Sequence, residues 1–146
     1  MPIFVPVLLD DPSPGDPLPG ETISTAYKAT VPHRIRQNLL TAARRAATHE
    51  ACGVLLGRQE THCVHIEAFV QADNVAASPQ EAYEVSAEAL LAAHNRGTVI
   101  GVFHSHPHGK AQPSATDRAL GQVGWIYLIS GTDGLRGFMA LEDETS

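Results

Sequence analysis

Cysteine is scarce in this chain: Cys52 and Cys63 are the only two among 146 residues. Two thiols at that separation give neither a disulfide framework nor a CxxC metal pair. A hairpin with strands at 52–57 and 62–68 about a turn at 58–61 would set Cys52 opposite Glu67. Both cysteines are therefore expected as reduced, small apolar residues in the interior. Positive charge is also short, with ten Lys and Arg against sixteen Asp and Glu and a net charge of −6. The basic residues are scattered apart from Arg44–Arg45, so there is no footprint for a phosphate backbone, and nucleic acid is excluded as a partner. No apolar run approaches the roughly 20 residues that a membrane span needs. The opening MPIFVPVLLDDPSP has no basic start and no small-residue cleavage site, which argues against a signal peptide and for a cytoplasmic protein. Repeats and linkers are missing too. What is present is ordinary globular composition, 43% apolar and 18% charged, at a length that suits one core.

Residues 1–20 read as a Pro-rich N-terminal arm, with residues 21–146 as a single domain. Ile3–Leu9 can form a short strand, and the prolines at 2 and 6 favour a sheet edge for it. Residues 10–20 are a loop rich in Pro, Gly and Asp. Residues 22–31 alternate enough for a strand. After Pro32, the residues Ile35, Leu39, Ala43 and Ala46 or Ala47 trace one face of a helix. Two strand-length apolar runs follow, ACGVLLG and HCVHIEAFV. Tyr83, Ala87, Leu90, Leu91 and His94 then mark a second helix that stops at Gly97. The run TVIGVFHSH is a strand ending at Pro107, SATDRALGQ is a short helix, and WIYLIS and LRGFMAL are two strands joined by GTDG. This order predicts an α+β fold, a three-layer α-β-α domain around a mixed sheet.

The chemistry concentrates in HSHPHGKAQPSATD, residues 104–117. On a strand, positions i and i+2 share a face, so His104 and His106 project together while Ser105 points away. Two imidazoles at a strand end make half of a tetrahedral metal site, and Asp117 in the first turn of the next helix can complete it. Three protein ligands leave the fourth position for water, as in catalytic zinc sites. Ordinary explanations exist as well: surface histidines, and a capping box in which Ser114 is the N-cap and Asp117 sits at N3. One carboxylate oxygen could bind metal while the other takes the helix hydrogen bond. His108 falls between Pro107 and Gly109 and is left as a loop residue.

That stretch resembles, without a gap, the signature of the JAMM (MPN+) metalloproteases: His-x-His-Pro, five residues, Pro-Ser, two residues, Asp. The upstream Glu50-Ala-Cys-Gly53-Val-Leu-Leu-Gly57 resembles the family's E-x-x-G-x-x-x-G strand opening, and the similarity spans roughly residues 22–141. The EACG start and small size are similar to stand-alone prokaryotic members. The resemblance implies a cytidine-deaminase-like JAMM/MPN fold and one zinc ion held by His104, His106 and Asp117. Cobalt, nickel or iron would suit the same ligands. It further implies Glu50 as general base and Ser114 as the donor to the developing oxyanion. At the mouth of a nearly all-apolar strand, Glu50 would have its pKa raised towards the working range of a base. By the same resemblance, the substrate is the bond after the C-terminal Gly-Gly of a ubiquitin-fold sulfur carrier or its conjugate. The tail would lie by β-augmentation along an edge next to residues 62–70. Homodimerisation is left open.

The remaining histidines carry less. His62 and His65 lie three apart on a strand and face opposite ways, which argues against a shared metal. His94 is expected at the core or its boundary, and His33 and His49 as helix-end residues in solvent. A non-catalytic MPN-type scaffold is the main rival, and scaffolds of that type usually lack the metal ligands. Amidohydrolase barrels need about 250 residues, and a metallo-β-lactamase would want an aspartate where His108 stands. A metal-storing protein would have no use for a general base.

Overall fold

The computed structural model describes residues 2–10 and 27–143. In chain order the elements are β1 (Ile3–Asp10), β2 (Lys28–Thr30), α1 (His33–Ala46), β3 (Cys52–Glu60), β4 (Cys63–Ala72), α2 (Ala87–Arg96), β5 (Val99–Ser105), α3 (Ala115–Leu120), β6 (Ile126–Gly131) and β7 (Gly134–Leu141). The strands join in the order β1-β2-β4-β3-β5-β6-β7 and close into a barrel of mixed parallel and antiparallel pairs. The α+β content and mixed sheet agree with the expectation.

Helix α1 buries Ile35, Leu39 and Ala42. These side chains pack with Leu55, Phe103, Ile126 and Leu128 in the largest apolar cluster, with Ala43 and Ala46 at its margin. On β3, Leu55 points into that cluster while Val54 and Leu56 point the other way, into a cluster with Ala93 of α2. Strand β3 is thus covered by α1 on one face and α2 on the other. Alternation along an extended chain explains why its run is apolar at nearly every position rather than at every second one. The expected three-layer α-β-α arrangement does not carry over to the whole sheet, which closes on itself through β1 and β2.

Two glycines of the β3 motif have packing reasons. A Cβ on Gly53 would run into the Phe69 ring and the Val70 carbonyl, and one on Gly57 into the His65 carbonyl. Gly57 also stands where the β3–β4 register shifts. Only a residue without a side chain lets the strands approach so closely there.

Several expectations are corrected. Ile3–Asp10, which falls within the expected arm, is not an edge strand: it pairs with β7 along Ile3–Val7 and with β2 along Leu8–Asp10. Pro6 is tolerated because β2 is too short to reach it. Of the strand expected over 22–31, Lys28–Thr30 is extended as β2, while residues 22–26 and the loop at 11–20 lie outside the described residues. The β3–β4 hairpin turns at Thr61 and His62, not over 58–61, and His62 adopts a φ of 62°. Longer strands and the register shift move Cys52 opposite Ala72 rather than Glu67. Cys52 is buried, whereas Cys63 is only half-buried. Helix α2 starts later than expected: Ser86 caps it through its side chain and Tyr83 lies before it. Its inward residue is Ala93, while Leu91 and His94 are exposed.

Candidate active site

Strand β5 delivers His104 to the middle of the sheet, opposite Cys52 of β3 and Ile129 of β6. His104 is fully buried. One residue beyond the strand, the His106 N–H donates to the Ser130 carbonyl at 2.7 Å, which keeps the chain extended for another step. The two rings therefore share a face, with their Nε2 atoms 3.1 Å apart. Ser105 points the other way, and its hydroxyl accepts from the Ala51 N–H at 2.8 Å. That bond fixes the residue following Glu50 to the strand that carries the histidines.

Helix α3 brings Asp117. Its Oδ2 lies 3.1 Å from His104 Nε2 and 3.5 Å from His106 Nε2. The capping box is also present: Asp117 N–H donates to Ser114 Oγ at 3.0 Å, and Ser114 N–H donates to Asp117 Oδ2 at 2.8 Å. The expected division of labour between the two carboxylate oxygens does not occur. Oδ2 takes the cap hydrogen bond and faces the histidines at once. Capping is thus the device that aims the carboxylate.

The donor set fits a tetrahedral cation. Bonds of 2.0–2.1 Å at tetrahedral angles put ligand atoms about 3.3–3.4 Å apart, and the three separations here are 3.1, 3.1 and 3.5 Å. His106 Nδ1 donates to the Lys110 carbonyl at 2.9 Å, since a carbonyl can only accept. In the metal-free protein the hydrogen bond to Asp117 raises the His106 pKa, so its Nε2 would give up a proton to a bound cation. Burial holds His104 below its ordinary pKa and so keeps it neutral. Burial alone would raise Asp117, but hydrogen bonds to His104 and His106 outweigh it and hold the carboxyl well below the usual range.

Glu50 sits between α1 and β3 and is 6% exposed. Desolvation pushes its pKa up to about 7, against the opposing charge of His106. One of its carboxylate oxygens forms a group with the two histidines in which all ligand atoms lie within 4.8 Å of one another. Ser114 stands at the rim, lining a cavity of about 170 Å³ together with Ala82, Tyr83, Asp117, Leu120 and Tyr127.

All five predicted site residues thus come together. His108, His33, His49 and His94 remain apart from them and exposed. His62 packs edge-on against Tyr27, and His65 bonds Thr30. Sequence reasoning missed Tyr83, whose ring stacks on His104 with centroids 4.3 Å apart and planes inclined by 17°. It also missed Asn74, whose side chain reaches the Glu50 carbonyl. The spacing of Tyr83 suits a helical stripe and so hides its role. Asn74 had no signal beyond its place in a polar loop.

Comparison with known proteins places the chain in a family. A family model described as prokaryotic homologs of the JAB domain matches residues 32–141. A desampylase from Haloferax volcanii is 36% identical over 120 residues, covering 75% of this chain and 85% of that protein. A probable TtuB-protein conjugate cleaving protease from Thermus thermophilus is 33% identical over 119 residues, covering 78% of this chain and 77% of the relative. A solution structure of a protein from Desulfitobacterium hafniense superposes with a TM-score of 0.62 at 28% identity, over 80% of this chain and 94% of the other. The chain therefore belongs to the family of prokaryotic homologs of the JAB domain, the family to which its histidine signature pointed.

Proposed function

We propose that the chain is a zinc-dependent peptidase and isopeptidase that cuts after the C-terminal Gly-Gly of a ubiquitin-like protein. The carrying observation is the convergence of three ligand atoms beside a buried carboxylate whose pKa lies near 7. The names of the Haloferax and Thermus relatives support the substrate class. His104, His106 and Asp117 would hold the ion, and two imidazoles with one carboxylate favour zinc. A zinc ion there supplies a water of lowered pKa and a Lewis acid for the scissile carbonyl.

The chain's own residues handle the proton. Glu50 accepts it from the attacking water as the new C–O bond forms. It returns the same proton to the nitrogen as the C–N bond breaks, so that a carboxylic acid and a free amine leave. Ser114 Oγ accepts from the Asp117 N–H, and its own O–H remains free to donate to the oxyanion.

Glu50 is preferred as base over Glu50 as a third ligand with the two histidines. Asp117 is held ionised and lies closer to both rings, whereas the Glu50 carboxyl is half protonated near neutral pH in the metal-free protein. For the tail, β2 pairs with β4 only over Cys63–His65. From Ile66 to Ala72, no strand among the described residues lies on that flank of β4, and Ala72 is two strands from His104 by way of Cys52. An extended Gly-Gly tail added along that flank would run towards the site. Among the described residues no helix is long and apolar enough to cross a membrane, and two free thiols suit a reducing cytoplasm. The test offers ubiquitin-fold sulfur carriers, each extended past Gly-Gly, to the zinc-loaded protein. Chelator-sensitive trimming of at least one supports the reading, and no trimming of any sinks it.

A further inference from the structure

Asn74 lies between β4 and α2, and its side-chain amide is used at both ends. Nδ2 donates to the carbonyls of Glu50 and Ala82, each at 2.9 Å, with the Pro79 carbonyl further off at 3.4 Å. Oδ1 accepts from the N–H groups of Ala76 at 3.0 Å and Glu84 at 3.1 Å. Three carbonyls face one end and two N–H groups the other, so the amide fits only one way round. The backbone adds to the same knot: Glu50 N–H donates to the Pro79 carbonyl at 2.7 Å, and Val75 N–H to the Glu84 carbonyl at 3.0 Å.

Two residues of the site hang from this knot. Glu50 is tied through its own carbonyl and N–H. Tyr83, the residue between Ala82 and Glu84, lies flat on His104. No hydrogen bond links Asn74 to a ligand side chain or to Ser114, so it acts through others. We infer that Asn74 is a positioning residue: its amide locks the 74–84 loop so that Glu50 stays at the head of β3 and the Tyr83 ring stays on His104. Aspartate offers the acceptor without the donor, and alanine offers neither.

The inference rests on the proposed hydrolysis for its kinetic readout only. Zinc-loaded wild type, Asn74→Ala and Asn74→Asp are compared for kcat, KM and zinc content. Gln59→Ala serves as control, since it removes another side-chain amide bond, to the Gly124 carbonyl, away from the site. The His104 ring protons are followed by NMR, with Tyr83→Ala giving their position when no ring is stacked on them. Both Asn74 variants should lose ten- to a hundredfold in kcat, the range a misplaced group costs, with KM and zinc content nearly unchanged. Their His104 ring signals should move towards those of Tyr83→Ala, and the control should match wild type. A folded Asn74 variant with wild-type kcat, or with unmoved His104 signals, overturns the inference. So does loss of zinc and of cooperative melting in both variants, which would make Asn74 a merely structural residue. If wild type cleaves no ubiquitin-like protein, the proposed function fails and the NMR comparison still judges Asn74.

Discussion

Among the described residues, two places set potential ligands at i and i+2 along an extended chain, and they differ in nearly everything else. At the end of β5, His104 and His106 meet Asp117 in a buried setting with no cationic side chain among their ion-pair partners. At the start of β4, Cys63 and His65 bring Sγ and Nε2 to 3.5 Å, and Glu60 comes within 3.3 Å of the same nitrogen. There, however, Arg58 already pairs with Glu60 and reaches towards Glu67, and the carboxylates are more than half exposed. His65 also spends its other nitrogen on Thr30. Spacing alone brings side chains together. Whether they can hold a cation depends on which charges are already satisfied and how much water they keep.

The sharpest break in that comparison is Asp117→Ala. Bound zinc should fall from one per chain to under a tenth by elemental analysis, with hydrolysis lost alongside. Next comes Glu50→Gln, which should keep zinc and lose about 10²–10⁴ in kcat, the range of a missing general base. Ser114→Ala should lower kcat by about 10²-fold or slightly more. It should also cost about 1 kcal/mol of stability, because Asp117 N–H loses its cap. A smaller effect follows from the sign of the Glu50 shift. Its folded pKa of about 7 lies above the ordinary 4.5, so ionising it in the buried site destabilises the metal-free fold as pH rises between those values. Metal-free Glu50→Gln should therefore melt a few degrees above metal-free wild type at pH 8 and level with it near pH 4. The smallest effect belongs to the hairpin: Cys63→Ala and His65→Ala should leave zinc content unchanged and kcat within about twofold.

Much of this was legible in the chain itself. Helix α1, the β3–β4 hairpin and the strand ending in His104 follow from local periodicity and from Pro and Gly, which act over a few residues. The set of His104, His106 and Asp117 was suggested by spacing and singled out by the family signature, since a helix cap alone would also account for Asp117. Closure of the barrel was not. The pairing of β1 with β7 joins Ile3 to Leu141, and no local pattern encodes a partner so far along the chain. Two prolines argued for an edge and were overruled by a short neighbour. Tyr83 shows the opposite failure: the spacing suited a helix, but Ser86 started that helix later and left the ring free to cover His104. Glu50 stood out among the acids only through the family pattern, since its burial comes from the fold around it and not from a local sequence signal.

The most direct test is a crystal structure of zinc-loaded protein with anomalous data on both sides of the zinc edge. One strong peak per chain is expected, bonded to Nε2 of His104, Nε2 of His106 and Oδ2 of Asp117, with the Glu50 carboxylate outside bonding distance. A peak bonded to Glu50 in place of Asp117, or one at Cys63 and His65 with none at β5, would contradict it.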